Sequence, residues 1–503
     1  MNLLSQRMAA AIQPAAVEWQ TSFAALECPP AHLDASQFVA WDQPFNGPLT
    51  MQDRGVRFMG FAPRSIAIAL LAFLCLANSS TAKAQYRDYP RADGPAQVFG
   101  NGESGKWTVD GEVRGRTENQ TAINYIPGLN ETYELTRIRG GFEVRPLSWL
   151  TGYAQFHDNH ALALPLQYTA ANMRDSFDLR QGYLELHLKP VKIFAGRQEL
   201  KFADERVIGI SDWTDNSRTW DGFDLRLGDK NRVDLFSTSV VVVHPTSLDL
   251  HGAGLTFHGV EGHIASLAPR TTVEPFVLVR ALQRVLSQQK IYGSELEVTT
   301  GAYAASQLPL GFEYSATGTL QRGSYSNDSI HAGSGIARAG YMAKWLRWSP
   351  RVQGEYDYAT GNPHRDALRI GTNDQIYPSN HNAFGLVDLF GFENIKQVRG
   401  NLDLKPAENL SLLFQAGSLH VVTTRDSVYS GSGSAVVKAP AAGFAGDNIG
   451  AEFDASAKYV LRKYIVANVG VGHLFPGEVM TKNGHGAPLT LAYLGFTYRF
   501  RAN

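Results

Sequence analysis

Apolar and polar residues alternate along most of the chain between Lys106 and Phe500. In the segment 135–145, Arg137 and Arg139 fall on one face, and Ile138 falls on the other. The same period of two recurs at 351–358, 395–405 and 449–459. This period is typical of β-strands whose two faces meet different surroundings, whereas a helix repeats every 3.6 residues. The pattern therefore predicts an all-β fold.

The connections between these segments alternate between short turns and long loops. Short ones fall at 146–148, 189–190 and 228–231, and long ones at 159–176, 201–218, 359–394 and 421–448. Strands of about ten residues, short turns at one end and long loops at the other are typical of outer-membrane barrels. We count about eighteen strands, with neighbours at 311–321 and 334–346. The prediction is a transmembrane antiparallel β-barrel over 106–500 with an aqueous lumen.

The last strand and the first hundred residues carry export signals. Leu494, Phe496, Tyr498 and Phe500 share one face, as in the C-terminal signal of inserted barrel proteins. Upstream, arginines precede the apolar run IAIALLAFLCLA at 66–77, and the small-residue pattern AKA follows at 82–84. This order predicts a signal peptide at 51–84. We expect 1–50 to be a non-native upstream extension and 85–105 to be a periplasmic segment.

Composition and motifs exclude several classes of function. The chain of 503 residues has 46 basic and 47 acidic side chains, so the basic surface that nucleic-acid binding requires is missing. Its two cysteines exclude a disulfide scaffold. No G-x-S-x-G nucleophile motif or H-E-x-x-H zinc motif is present, and His157 and His160 stand at a strand end. We expect neither an enzyme nor a metal centre among these residues.

Several long segments resemble the alginate export family of outer-membrane proteins. They include LTRIRGGFEVRPLSWLTGYAQ from Leu135, GRQELKFADERVIGISDWTDNSRTWDGFDLRL from Gly196 and YPSNHNAFGLVDLFGFENIKQVRGNLDLKP from Tyr377. The resemblance implies an eighteen-stranded barrel that passes an anionic uronate polymer outward through a basic constriction. The matching motifs carry the anion-lining role onto Arg137, Arg139 and Arg197, and QVRGNLDLKP extends it to Arg399.

The face that we assign to the lumen mixes arginines and acids. The predicted pore-lining and anion-binding residues are Arg114, Arg137, Arg139, Arg145, Arg197, Arg351 and Arg399, and their acidic lumen partners are Glu143, Glu199, Glu355 and Asp403. Arginine binds carboxylates through two hydrogen bonds and keeps its charge. Cross-strand pairs of arginine and acid are also ordinary wall structure, so both roles remain open for each arginine.

Two long loops are candidate gates. One spans 201–218 and the other 373–392. The first loop carries Asp204, Glu205, Asp212 and Asp215, which could bind a divalent cation, although the spacing of an EF-hand is missing. No other cofactor is expected.

The sequence as a whole predicts an outer-membrane channel that passes an anionic polysaccharide, or smaller anionic sugars, through an Arg-lined and loop-gated pore. The expected partners are the cargo, the lipid bilayer, the barrel-insertion machinery and periplasmic export proteins. Two alternatives stay open. One is a porin for uptake of small solutes, and the other is a non-conducting adhesion or structural barrel.

Overall fold

The computed structural model describes residues 106–364, 368–381 and 383–502. The signal peptide predicted at 51–84 and the segments predicted at 1–50 and 85–105 lie outside the described residues. Within the described part of the chain, no helix is long and apolar enough to cross a membrane. The longest α-helix given there is the single turn Glu478–Thr481.

Eighteen antiparallel strands of the described chain form one closed sheet. They are β1 Lys106–Gln120, β2 Glu131–Leu147, β3 Leu150–Leu162, β4 Asp175–Leu188, β5 Val191–Gln198, β6 Trp220–Gly228, β7 Asn231–Val242, β8 Leu255–Ala268, β9 Thr271–Leu286, β10 Tyr292–Gln307, β11 Phe312–Tyr325, β12 Asp328–Met342, β13 Arg351–Ala359, β14 Ile395–Ala407, β15 Leu410–Val421, β16 Asn448–Arg462, β17 Ile465–Pro476 and β18 Leu489–Ala502. The predicted number of strands is confirmed.

Pairing of the first strand with the last closes the barrel. Strand β1 pairs with β2 on one side and with β18 on the other, where Val109 lies opposite Ala502 and Gln120 opposite Leu491. Closure leaves no strand edge without backbone partners, which a bilayer requires because lipid offers no hydrogen bonds. The C-terminal aromatic strand thus completes the wall.

The period of two separates an apolar outer face from a charged inner face. Ile138 and Val398 point outward and are 53% and 62% exposed, as expected of side chains that contact lipid. Their neighbours Arg137 and Arg399 point inward and are buried. Burial inside the barrel arises because long loops fold into the lumen and cover the inner wall.

The short turns and long loops lie at opposite ends of the barrel, with two differences from the prediction. Strands β11 and β12 are joined by only two residues, Ser326 and Asn327, because β12 begins at Asp328 and not near 334. The connection 343–350 at the other end is longer than predicted, since β12 already ends at Met342.

Three long connections pack against the inner wall through buried apolar clusters. Ile208 and Ile210 of the connection 199–219 pack with Trp220, Phe236 and other wall residues. Residues 384–392 and 428–444 pack with inward-facing residues of β12–β17 in a second cluster. These contacts fill part of the lumen, so the pore is narrower than the ring of eighteen strands alone would leave.

Candidate transport site in the lumen

Five arginines on strands β1, β2 and β4 line one side of the inner wall. Arg114 and Arg137 lie directly opposite each other on β1 and β2, and Glu112 lies opposite Arg139. We use the name arginine ladder for Arg114, Arg116, Arg137, Arg139 and Arg180, each of which is at most 9% exposed. Strand alternation places them all inward, and antiparallel register brings them side by side.

A loop carboxylate sits on this ladder. The carboxylate of Asp212 accepts hydrogen bonds from Arg137 Nη1 at 3.0 Å and from Arg139 Nη1 at 2.9 Å. Arg114 donates to the carbonyl oxygens of Asp212 at 2.8 Å and Thr214 at 3.0 Å, and it forms an ion pair with Asp215. The connection 199–219 is therefore held inside the barrel by the arginines that were predicted to line the pore.

The ladder sets the charge state of Asp212. Burial alone would raise the pKa of this carboxyl, but the guanidinium groups of Arg137, Arg139 and Arg114 overcome that effect and hold the pKa well below its usual range. Glu112 and Glu118 contribute further acceptors, at 2.7 Å from Arg137 Nε and 2.5 Å from Arg116 Nε. The site is thus a set of guanidinium groups that is neutralised partly by the wall and partly by a loop.

A second group of charges holds the same connection on the opposite wall. Arg206 donates to Glu355 at 2.8 Å, and Arg399 donates to the same carboxylate at 2.5 Å. Arg399 also donates to the carbonyl oxygen of Ala383 at 2.5 Å, in the connection 360–394. Although burial lowers the pKa of Arg206, the carboxylates of Glu355 and Asp357 outweigh it, so the pKa is raised.

The two connections also bind each other. Gly209 N donates to Tyr377 O at 2.8 Å, and Tyr377 N donates to Val207 O at 3.1 Å, which makes a parallel bridge. Trp213 stacks on His381 with ring centroids 3.6 Å apart, and the guanidinium of Arg116 covers the other face of Trp213 at 3.7 Å. We call the connections 199–219 and 360–394 together the plug.

The predicted acids of the first loop are all engaged. Asp212 and Asp215 contact the ladder, Asp204 forms an ion pair with Arg338, and Glu205 accepts a hydrogen bond from Ser379 at 2.8 Å. They face different partners and do not converge on a common point. A cation bound jointly by these four side chains stays a prediction that this arrangement does not favour.

The structure separates the predicted pore residues into distinct places. Arg114, Arg137 and Arg139 belong to the ladder, and Glu199 pairs with Arg180 beside it. Arg399 and Glu355 lie together on the opposite wall. Nearer the short turns, Arg145 pairs with Glu143 at 2.9 Å, and Arg351 contacts Glu313 at 2.5 Å and Asp403 at 3.3 Å. Their anion-binding role stays a prediction.

The placement expected for Arg197 is wrong. Arg197 lies opposite Asp221, in register with the outward pair Ala195 and Phe223, and Phe223 is 63% exposed. Its guanidinium bonds Asp221 at 2.8 Å on that outer face, near the loop end of β5. Glu199 follows the end of β5 at Gln198, so the alternation that was read through 197 and 199 does not describe one continuous strand face.

Three arginines of the site were missed in the sequence. Arg116 stood at the predicted end of its strand, whereas β1 continues to Gln120. Arg180 lies at an irregularity in the pairing of β3 with β4, between Leu179 and Gln181, which shifts the alternation on which face assignment depends. Arg206 lies in a loop, and nothing local in the sequence indicates that it reaches Glu355.

Comparisons with known proteins agree with this architecture. OccAB4 of Acinetobacter baumannii has a TM-score of 0.55 at 10% identity, covering 80% of this chain and 100% of that chain. OprD of Pseudomonas aeruginosa has a TM-score of 0.53 at 11% identity, covering 81% and 97%. OccK11 (OpdR) of the same organism has a TM-score of 0.52 at 12% identity, covering 81% and 100%. No curated protein matches this chain.

A closed barrel with an apolar outer face and a charged interior defines an outer-membrane channel protein, and its fold is that of the bacterial outer-membrane porins. The alginate export family model matches residues 111–488, nearly the whole barrel. The chain belongs to the alginate export family and lies in the bacterial outer membrane. Both the family and the fold are those of transport proteins.

Proposed function

We propose that the protein is a channel for an anionic polysaccharide of the uronate type, or for smaller anionic sugars, and that cargo carboxylates displace the plug from the arginine ladder. The observation that carries the proposal is the position of Asp212 between Arg137 and Arg139. Uronate carboxylates have the same chemistry as the Asp212 side chain. The proposed transport needs no cofactor and no reaction on the cargo.

Exchange of the Asp212 carboxylate for a cargo carboxylate explains how a charged plug can be released. Removing Asp212 without replacement would leave buried guanidinium groups uncompensated, at a cost of about 3–5 kcal/mol for one broken buried pair. A cargo carboxylate in the same place keeps the charges paired, so most of that cost disappears. The ladder therefore favours anions that carry carboxylates over neutral sugars.

The proposal requires partners beyond the barrel. A polymer that leaves the cell must first reach the periplasmic mouth, so we expect periplasmic export proteins to deliver it. Insertion of the barrel itself would use the outer-membrane insertion machinery, which recognises the aromatic C-terminal strand. These partners follow from the proposed cargo and from the strand pattern.

Single-channel recording of the refolded mature protein in a planar bilayer tests the proposal. We expect an anion-selective reversal potential across a salt gradient. Oligouronate added to one side should raise the open probability and interrupt the open current in a concentration-dependent manner. A neutral oligosaccharide of the same length is the control and should do neither. Asp212→Asn should be open without oligouronate and show no further increase in open probability.

The contrary results distinguish the alternatives. A pore with weak or cation selectivity and no response to oligouronate would exclude the polyanion proposal and favour uptake of other small solutes on the same scaffold. A folded barrel without any conductance, in the wild type and in Asp212→Asn alike, would favour an adhesion or structural role.

A further inference from the structure

Three side chains of the kinds that bind metal ions meet at the loop end of the barrel, where His157 lies directly opposite Arg139 of the arginine ladder. They are His157 of β3, Asp175 at the start of β4 and Asp249 in the connection 243–254. One ligand atom from each lies within 4.8 Å of the others, and the three residues are 4%, 1% and 8% exposed. Sequence inspection could not find this group because its members are up to 92 positions apart.

Backbone contacts fix the loop residue in place. Asp249 N donates to the carboxylate of Asp178, and Arg197 donates to Asp249 O at 3.0 Å. The carboxylate of Asp249 accepts a hydrogen bond from His244 N at 2.7 Å. Ser176 binds Pro245 O through its hydroxyl at 2.9 Å. The connection 243–254 is therefore held against β4 with Asp249 directed to the other two residues.

The group carries more acceptors than its protein partners satisfy. Asp175 Oδ2 lies 2.9 Å from His157 Nε2, but the fully buried Asp175 Oδ1 has no hydrogen-bond partner among the described residues. Asp178 adds a third carboxylate next to those of Asp175 and Asp249. A buried acceptor without a protein partner is typical of a site that binds a water molecule or an ion.

We propose that His157, Asp175 and Asp249 bind a divalent transition-metal ion, of which Zn²⁺ is the best fit. One imidazole nitrogen and two carboxylates make a three-ligand set that Zn²⁺ accepts, and a water molecule completes its tetrahedron. Ca²⁺ and Mg²⁺ prefer oxygen ligands alone and in larger number. The bound ion ties the connection 243–254 to β3 and β4 at the mouth of the barrel.

Metal binding requires the side-chain amide of Asn159, next to the imidazole of His157, to change its orientation. The side-chain amide of Asn159 lies 3.1 Å from His157 Nδ1, and Asn159 Oδ1 is buried without a partner among the described residues. A metal on Nε2 requires a proton on Nδ1, so Asn159 must turn its oxygen to this ring nitrogen. The turn gives up the bond from Asn159 to Asn216, which lies in the plug. Metal binding is therefore linked to one contact of the plug.

Metal analysis of the refolded mature barrel after equilibrium dialysis tests the site. We expect one Zn²⁺ bound per barrel, and a Co²⁺ complex with the visible absorption of a four-coordinate site. Asp249→Asn should weaken Zn²⁺ binding at least tenfold, and its Asn can still accept the hydrogen bond from His244 N. His160→Gln is the matched control, because His160 also faces an aspartate, Asp158 at 3.0 Å, but is exposed.

Each outcome bears on the site directly. Retention of Zn²⁺ binding in Asp249→Asn, its equal loss in His160→Gln, or no Zn²⁺ bound to the wild type would overturn the proposal. His157→Gln provides the second variant, and heat-modifiable migration on gels reports whether each barrel has folded. The transport proposal does not depend on the result, because oligouronate block is measured without added metal.

Discussion

At the scale of single residues, the important feature of the arginine ladder is the set of carboxylates that neutralises it. Arg114, Arg137 and Arg139 place positive charges around the carboxylate of Asp212, and these charges lower its pKa because they stabilise its ionised form. The lumen side chains of a barrel are polar whatever they carry. What distinguishes this site is that part of its counter-charge lies on a loop and not on the wall, so that part can leave.

The lowered pKa of Asp212 predicts acid opening of the channel. A carboxyl whose pKa is lower in the docked plug than in the free loop favours docking above the usual pKa of 3.8, and this contribution is lost as the pH falls below that value toward the lowered one. Open probability should therefore rise on acidification below about pH 4. Single-channel recording at stepwise lower pH checks this expectation.

Two variants control the acid experiment. Asp212→Asn should be open at neutral pH and lose the acid response, because its amide does not titrate. Asp447 also has a lowered pKa, caused mainly by its hydrogen bond from Lys396, but it lies in a different loop and is only half-buried. Asp447→Asn should keep the acid response, and an equal loss in both variants would argue against Asp212 as the titrating group.

At the scale of elements, the plug depends on close contact between its two connections. Gly209 lies at the bridge to Tyr377, and a Cβ atom there would collide with Ser379 Oγ and come within 2.7 Å of Glu205 Cβ. Gly209→Ala should therefore separate the two connections, at a cost of about 1–3 kcal/mol for overpacking. We expect a higher open probability at neutral pH with an unchanged barrel.

Gly115→Ala is the matched control for that substitution. Gly115 is in β1, and a Cβ atom there would meet nothing within 4 Å. This variant should have wild-type open probability in the same recordings. If Gly209→Ala stays as closed as Gly115→Ala, the bridge between the two connections does not hold the plug.

The elements also show what a single sequence can and cannot predict. Strands such as β2 and β14 were predicted because alternation is local and lipid enforces it on the outer face. The plug was expected only as two candidate gates, since contacts such as the hydrogen bond from Arg218 to Tyr377 O join residues 159 positions apart. Arg197 was misplaced because β5 ends at Gln198. Alternation with a period of two predicts which face of the sheet a residue occupies only within one continuous strand.

At the scale of the whole molecule, the net charge is close to zero, but the charges are unevenly distributed. The 46 basic and 47 acidic residues give almost no net charge, whereas the ladder gathers five arginines on β1, β2 and β4. Rings of arginine select anions in a pore. Selectivity should therefore depend on this one sector of the wall and should respond weakly to arginines elsewhere.

Three variants separate selectivity from opening. Asp212→Asn releases the plug but keeps the ladder, so its reversal potential should remain that of an anion-selective pore. Arg137→Gln combined with Arg139→Gln also removes the partners of Asp212, and we expect it to open but to lose at least half of the anion-to-cation permeability ratio, because the positive charges are gone. Arg197→Gln changes an arginine of the outer face, so its ratio should equal that of the wild type. A double variant that opens with undiminished anion preference would place the selective charges in another sector, of which Arg399 beside Glu355 is the next to test.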